Sequence, residues 1–388
     1  MKMERAFYSK AFGGYPFGCR IYFRLNYIFE TTMKTHSHLF KTFFIKSFLG
    51  LGALGAAFVC APAADACTRV LYQGADSLFI VGRSLDWKTP IPTNLYVYPA
   101  GLHKKGSDKP GCVEWTSLYG AVYAVGYDGG VTEGMNEKGL VINGLFCKGS
   151  VYDNNETRNR PPLSMSMFVA WLLDCNSTVE EVASVLREHN FSLSGATFDN
   201  GTVTALHWGV TDSTGKSIIF EFVDGVINIY DMGDYRAMTN DPDWPAMSAI
   251  VDYWNKKGGQ HTLPGTVSSP DRCVRADYFA HHVEKTSEAD LGVSITRSII
   301  VDSCVPYTYL IEGEPNISST QWRSYANVRD HRYYFDIVTN PGYYYIDLNS
   351  LDLRRGAPIL KFSTARHTQI VGNANRYLEK APGFTPMY

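Results

Sequence analysis

The stretch CTRVLYQGADSLFIVGRSLDW, Cys67 to Trp87, decides how this chain is read. Two apolar runs, Cys67–Tyr72 and Leu78–Arg83, flank the turn-rich cluster QGADS, which is the pattern of two adjoining strands. The second run leads into Arg83 and Asp86, opposite charges three residues apart, and the first begins on a thiol. What precedes Cys67 explains why a cysteine heads the first strand.

Ser47–Cys60 (SFLGLGALGAAFVC) is uncharged, follows Lys34, Lys41 and Lys46, and runs on to Ala64-Asp65-Ala66. A basic segment, an apolar stretch of roughly 7–15 residues and an A-x-A site make a secretory signal. The run is too short for a membrane span, which needs roughly 20 apolar residues. Cleavage after Ala66 is therefore expected, leaving Cys67 as the first residue of a periplasmic or secreted protein with no stable membrane insertion. Residues 1–32 add Arg5, Arg20, Arg24 and many aromatics ahead of a signal that is complete from Met33, so initiation at Met33 is expected. Residues 1–66 then form an upstream extension plus signal peptide, and residues 67–388 one domain.

Residues 67–388 carry 28 basic against 35 acidic side chains, so no nucleic-acid partner is expected, since that would normally show a basic patch. This length supplies ample core for one large domain. Twenty-five tyrosines suit a strand-rich architecture with aromatic-lined pockets. Six cysteines follow the signal: Cys67, Cys112, Cys147, Cys175, Cys273 and Cys304. Their irregular spacing, without C-x-x-C, argues against zinc. Export permits disulfides among the last five, although the preferred reading is that most are small buried apolar residues. With no metal-ligand cluster and no glycine-rich phosphate loop in the sequence, no cofactor is expected.

Further along, strands are expected at Asn94–Tyr98, Ala121–Tyr127 and Gly139–Phe146. Helices should follow at Ser164–Leu173 and Ser177–Glu188, the latter opened by a capping box of Ser177 and Glu180. Three strands come next, at Thr204–Thr211, Ser217–Val223 and Val226–Tyr230, the last pair joined by the hairpin signal Asp224-Gly225. Helices are expected at Pro245–Lys256, Asp271–Glu284 and Ser287–Ile300, and strands at Ser324–Asp336 and Tyr343–Asp347. Strand clusters, then helices, then strands indicate an α+β layered fold rather than βαβ units.

A cysteine at a new N-terminus has two functional readings. Lipidation would make the chain an anchored binding protein, but Asp65 breaks the small-residue pattern that lipidation sites prefer. Catalysis needs only the residue itself. Its α-amine (pKa about 7.7–8.0) can take the proton of its own thiol (about 8.5), so transfer is nearly balanced near neutral pH. Arg83 would favour the thiolate by its charge, and Asp86 could hold the amine. A histidine-paired cysteine hydrolase is the rival chemistry. Its candidates are His189, His207, His261, His281 and His282, of which His207 reads as a satisfied core residue.

The segments CTRVLYQ and GRSLDW, with Arg83 sixteen and Asp86 nineteen positions after the cysteine, resemble the choloylglycine hydrolase/penicillin V acylase family of N-terminal nucleophile hydrolases. GMNEKGL (Gly134–Leu140), LHWGVTDSTGKSIIFE (Leu206–Glu221), MTNDP (Met238–Pro242) and SPDRCVRADYF (Ser269–Phe279) match in the same order. The resemblance spans Cys67 to about Asp347. It implies a four-layer αββα sandwich of two antiparallel sheets flanked by helices, a small acyl-amide substrate, and a homotetramer. By position it implies Cys67 as nucleophile, Arg83 beside it, Asp86 positioning the amine, Asn240 binding the oxyanion and Arg272 as second arginine. Asn240 as a mere turn residue and Arg272 as a helix-end charge are the bland alternatives. The chain departs from many bile-salt hydrolases by placing Phe146 where they have an asparagine; its backbone N–H is the expected donor, as in the penicillin acylase branch. Trp87 resembles the exported Gram-negative branch and would wall the pocket. Penicillin V, conjugated bile salts and acyl homoserine lactones are all candidate substrates, the first and last favoured by Phe146 and Trp87.

Overall fold

A computed structural model describes residues 66–152, 159–195, 204–259, 261–310 and 318–388. The signal segment and residues 1–32 lie outside the described residues. Two large sheets dominate. The first has seven strands in the order Ala237–Met238, Thr68–Gln73, Phe79–Trp87, Ser319–Asn327, Arg332–Ile337, Tyr343–Asp347 and Val371–Asn373. All its pairings are antiparallel except the last. The second has nine antiparallel strands: Val226–Asp231, Ser217–Val223, Leu206–Thr211, Val141–Phe146, Gly130–Asn136, Ala121–Gly126, Thr93–Tyr98, Leu360–Phe362 and Glu379–Lys380.

Helices α1 (Met165–Cys175) and α2 (Val179–Glu188) cover the outer face of the nine-stranded sheet, burying Phe168, Leu172 and Leu186 against Trp208 and Phe220. Helices α3 (Trp244–Lys257), α4 (Ser269–His282) and α5 (Ala289–Asp302) cover the seven-stranded sheet, where Val70, Tyr72 and Ile80 meet Val274 and Ile300. A third apolar layer, including Leu71, Val81, Val122, Met135 and Phe335, lies between the sheets. Period-two alternation makes this possible: Val70 and Tyr72 face the helices while Leu71 faces the other sheet. The architecture is thus αββα, as the resemblance implied.

Most elements fall within two residues of their expected bounds, and three differ instructively. The capping box is Thr178 with Glu181, one residue later than expected, because the Glu181 carboxylate also collects the Ser177 N–H and hydroxyl. The expected strand Ser324–Asp336 is a hairpin, Ser319–Asn327 and Arg332–Ile337, turning where His331 takes a positive φ with no glycine to announce it. Strand Gly130–Asn136 departs from the expected set, since in GVTEGMN the β-formers Val131 and Thr132 are outweighed by two glycines, Glu133 and Asn136. Gly134 is needed there: a Cβ would sit 2.4 Å from the Val122 carbonyl oxygen. All six described cysteines are free.

Candidate active site

Cys67 sits at the head of strand Thr68–Gln73, and pairing with Phe79–Trp87 places Thr68 opposite Ser84. That register brings Arg83 and Asp86 to the cysteine. The Arg83 Nη2 lies 3.7 Å from the Cys67 Sγ and 3.0 Å from the Gly144 carbonyl oxygen. The thiol points to the Asp86 carbonyl at 3.9 Å. Behind Arg83 stand Glu133, ion-paired at 3.2 Å with both side chains buried, and the face of Trp322 at 4.5 Å. Glu133 in turn accepts from Ser324 and Tyr333, so the guanidinium is held from the far side.

Asn240 follows the short strand Ala237–Met238, which pairs with Arg69 and Val70. Its loop is fixed on the start of α4: the Asn240 N–H donates to the Ser269 hydroxyl at 2.9 Å, and the Thr239 hydroxyl to the Ser269 carbonyl at 3.0 Å. The Asn240 Oδ1 accepts from the Cys67 N–H at 2.5 Å and from Arg272 Nη2 at 2.9 Å. Two donors on the oxygen settle the amide orientation. Its Nδ2 therefore points the other way, donating to the Phe146 carbonyl at 2.8 Å.

Arg272 lies in the first turn of α4 and is fully buried. It is no helix-end surface charge: Nη1 donates to the Cys67 carbonyl at 2.7 Å and the Thr68 hydroxyl at 2.6 Å, and Nε to the Val267 carbonyl at 2.9 Å. Burial lowers its pKa, with Asp86 and Cys67 opposing. For Asp86 burial dominates in the other direction. Its pKa rises to about 6 despite the pull of Arg272, Thr320 and Arg83. Its Oδ2 accepts from Ser84 at 3.3 Å, while Oδ1 is buried with no hydrogen-bond partner among the described residues.

Phe146 ends strand Val141–Phe146 and pairs with Leu206. The next N–H, of Cys147, bonds to the Ala205 carbonyl at 2.9 Å. Antiparallel alternation turns the Phe146 N–H to the opposite edge, the side on which Asn240 meets its carbonyl. Its ring meets Trp87 edge-on, centroids 5.6 Å apart. Both rings line a cavity whose base is Cys67, Arg83 and Asp86 and whose walls include Tyr127, Val131 and Met387. The structure thus brings all seven residues singled out in the sequence to one place.

The family model describing linear amide C–N hydrolases of the choloylglycine hydrolase family matches residues 67–361. The chain belongs to the choloylglycine hydrolase family. It is a linear amide C–N hydrolase. It is 31% identical over 345 residues to penicillin V acylase of Pectobacterium atrosepticum, covering 82% of this chain and 91% of that protein. It is 31% identical over 313 residues to bile salt hydrolase/transferase of Clostridium perfringens, covering 74% and 94%. The structure of penicillin V acylase from Agrobacterium tumefaciens superposes with TM-score 0.76 at 34% identity, covering 83% of this chain and 99% of that one.

Within this family member, sequence reasoning missed Glu133, Thr68 and Ser269, which brace the site residues, and Met387 in the cavity wall. It also missed the buried trio Cys147, His207 and Glu221, whose candidate ligand atoms all lie within 4.8 Å. The signal for Glu133 was faint: a carboxylate in an otherwise apolar and small-residue strand. His207 does not approach Cys67's chemistry. Its Nδ1 meets Glu221 at 2.8 Å and its Nε2 the Thr239 carbonyl at 2.7 Å, as expected of a satisfied core residue.

Proposed function

We propose that removal of the chain through Ala66 makes Cys67 an N-terminal nucleophile that hydrolyses linear amides with an uncharged, apolar acyl group, phenoxyacetyl amides such as penicillin V foremost. The supporting observation is that Arg83, Asn240 and Arg272 converge on Cys67, which with Arg83 and Asp86 lines an apolar cavity. Among the described lining residues of that cavity, the only charges are Arg83 and Asp86, both at its base.

The chemistry follows from the contacts. The α-amine takes the thiol proton, and the Arg83 charge favours the resulting thiolate. Sulfur attacks the amide carbonyl, whose electrons move onto oxygen. That oxygen is met by the Asn240 Nδ2 and the Phe146 N–H, donors on one edge of one strand end. The ammonium returns its proton to the leaving nitrogen as the C–N bond breaks. Water then attacks the thioester, giving its proton to the amine, and the thiol is regenerated. Asp86 Oδ1, without a hydrogen-bond partner among the described residues, would accept a hydrogen of the new amine. Arg272 holds the Cys67 carbonyl and the Asn240 oxygen, so nucleophile and oxyanion donor share one brace.

The export of the chain, its periplasmic or secreted destination and a homotetrameric assembly belong to the same proposal. Mass spectrometry of the mature N-terminus tests its foundation: an unmodified Cys67 supports the hydrolase, and a diacylglyceryl adduct or any other first residue overturns it. Parallel assays on penicillin V, glycocholate and an acyl homoserine lactone test the substrate. The Trp87–Phe146 edge contact favours a flat aryl acyl group; higher kcat/KM on glycocholate would favour the bile-salt reading instead.

A further inference from the structure

We infer that Met387, carried by the segment from Phe384, forms an outer wall of the acyl pocket and sets how long an acyl group the pocket admits; the inference rests on the amidase reading above. Met387 lines the same cavity as Cys67, although 320 positions separate them. The segment is tied at both ends. The Phe384 N–H donates to the Tyr98 hydroxyl at 2.9 Å, and the Phe384 ring lies 5.9 Å from each of the Tyr96 and Tyr98 rings. The Met387 N–H donates to the Gly129 carbonyl at 2.9 Å, and its carbonyl accepts from the Ser164 hydroxyl at 3.1 Å. Ser164 caps α1, whose Met165 and Ser166 also face the cavity.

The side chain is seated as firmly as the backbone. A Cβ on Gly129 would stand 2.6 Å from the Met387 Cγ and 2.9 Å from both its Sδ and Cε. The thioether therefore lies directly on the turn that joins strands Ala121–Gly126 and Gly130–Asn136, whose Tyr127 is another cavity residue. One face of Met387 meets the pocket; 42% of the residue remains exposed to water. The wall is thus one flexible, polarizable side chain thick, with no charge to interact with an acyl terminus. A long acyl group reaching past Trp87 and Phe146 must meet or displace it.

The test uses mature protein and N-acyl amides of one amine, from butanoyl to dodecanoyl. A methylene gained or lost in an apolar pocket is worth roughly 10–200-fold in discrimination. The dodecanoyl-to-butanoyl ratio of kcat/KM should therefore rise about tenfold in Met387→Ala and fall about tenfold in Met387→Trp. Gly129→Ala, made beneath the thioether, should also shift the ratio by more than twofold, because its methyl would stand within 3 Å of the Met387 side chain and displace it. Calorimetric binding of the free alkanoic acids to Cys67→Ala protein gives the same ordering without turnover. Ratios within about twofold of wild type in both Met387 variants, or acids that bind alike or not at all, overturn the wall. Shifted binding without any Cys67-dependent turnover overturns the amidase reading and leaves the wall standing.

Discussion

Cys67 heads a strand of the seven-stranded sheet and Cys147 follows a strand of the nine-stranded one, each beside a cationic side chain and a carboxylate. Their exposures are alike, 3% and 4%. What separates them is the state of the surrounding donors and acceptors. Around Cys147 the neighbours are engaged with one another: His207 bridges Glu221 and the Thr239 carbonyl, and both Glu221 oxygens accept from the Trp244 N–H at 3.0 Å. Burial alone would lower the His207 pKa, but Cys147 and Glu221 raise it to about 10, and the ring, with both nitrogens engaged, locks two elements together. Around Cys67 the Asp86 Oδ1 has no hydrogen-bond partner among the described residues, and the thiol lines an open cavity. A buried cysteine with a cation and an acid is therefore a structural joint when its neighbours are satisfied. It becomes a reactive centre where acceptors remain and substrate has room.

The largest expected effect breaks this comparison most directly. Cys67→Ser should lower kcat by about 10³-fold or more, since the poorer nucleophile must still be activated by the same amine. Cys147→Ala should leave kcat within about threefold. Retained full activity in the first, or comparable loss in the second, would reverse the roles assigned to the two cysteines. Next, Asn240→Ala should lower kcat by roughly 10²–10³-fold with a smaller change in KM, the size typical of one oxyanion donor. An altered KM alone would make Asn240 only a binding contact.

Smaller, and on stability instead, His207→Ala should cost about 3 kcal/mol, because Glu221 would remain buried with the Trp244 N–H but without the imidazole opposite it. Urea unfolding measures it. If His207→Ala abolished turnover while a blocked N-terminus did not, a histidine-paired hydrolase would be the better account.

The smallest effect concerns pH. With Ala66 attached, Asp86 has a pKa of about 6, raised by burial above the roughly 3.9 of an unfolded chain. The folded state thus binds this proton more tightly. Its stabilising contribution is complete below about pH 4 and is lost as pH rises through about 6. Melting temperatures of the uncleaved chain and of Asp86→Asn across that range should differ in slope. Parallel curves would mean that Asp86 is ionised throughout.

Local chemistry made much of this legible. Asp224-Gly225 turns its hairpin where expected because both residues take positive φ, at 51° and 74°. The order of the matching segments was sufficient to name Cys67, Arg83, Asp86, Asn240 and Arg272. Strand Gly130–Asn136 escaped notice because Gly134 is required by the Val122 carbonyl, a neighbour on another strand that its own sequence does not reveal. The hairpin turn at His331 escaped because a lone positive φ leaves no compositional trace.

From the residues alone come the proposed nucleophile, its flanking charges and the layered class, since these depend on spacing within strands and on segments read in order. Only tertiary structure decided that Asn240 reaches Cys67 across 173 positions, that Arg272 reaches it across 205, that Glu133 stands behind Arg83 and that Met387 lines the cavity. The physical reason is that hydrophobic periodicity records which face of an element is buried. Which distant side chain fills the space opposite is set by sheet register and by the packing of layers.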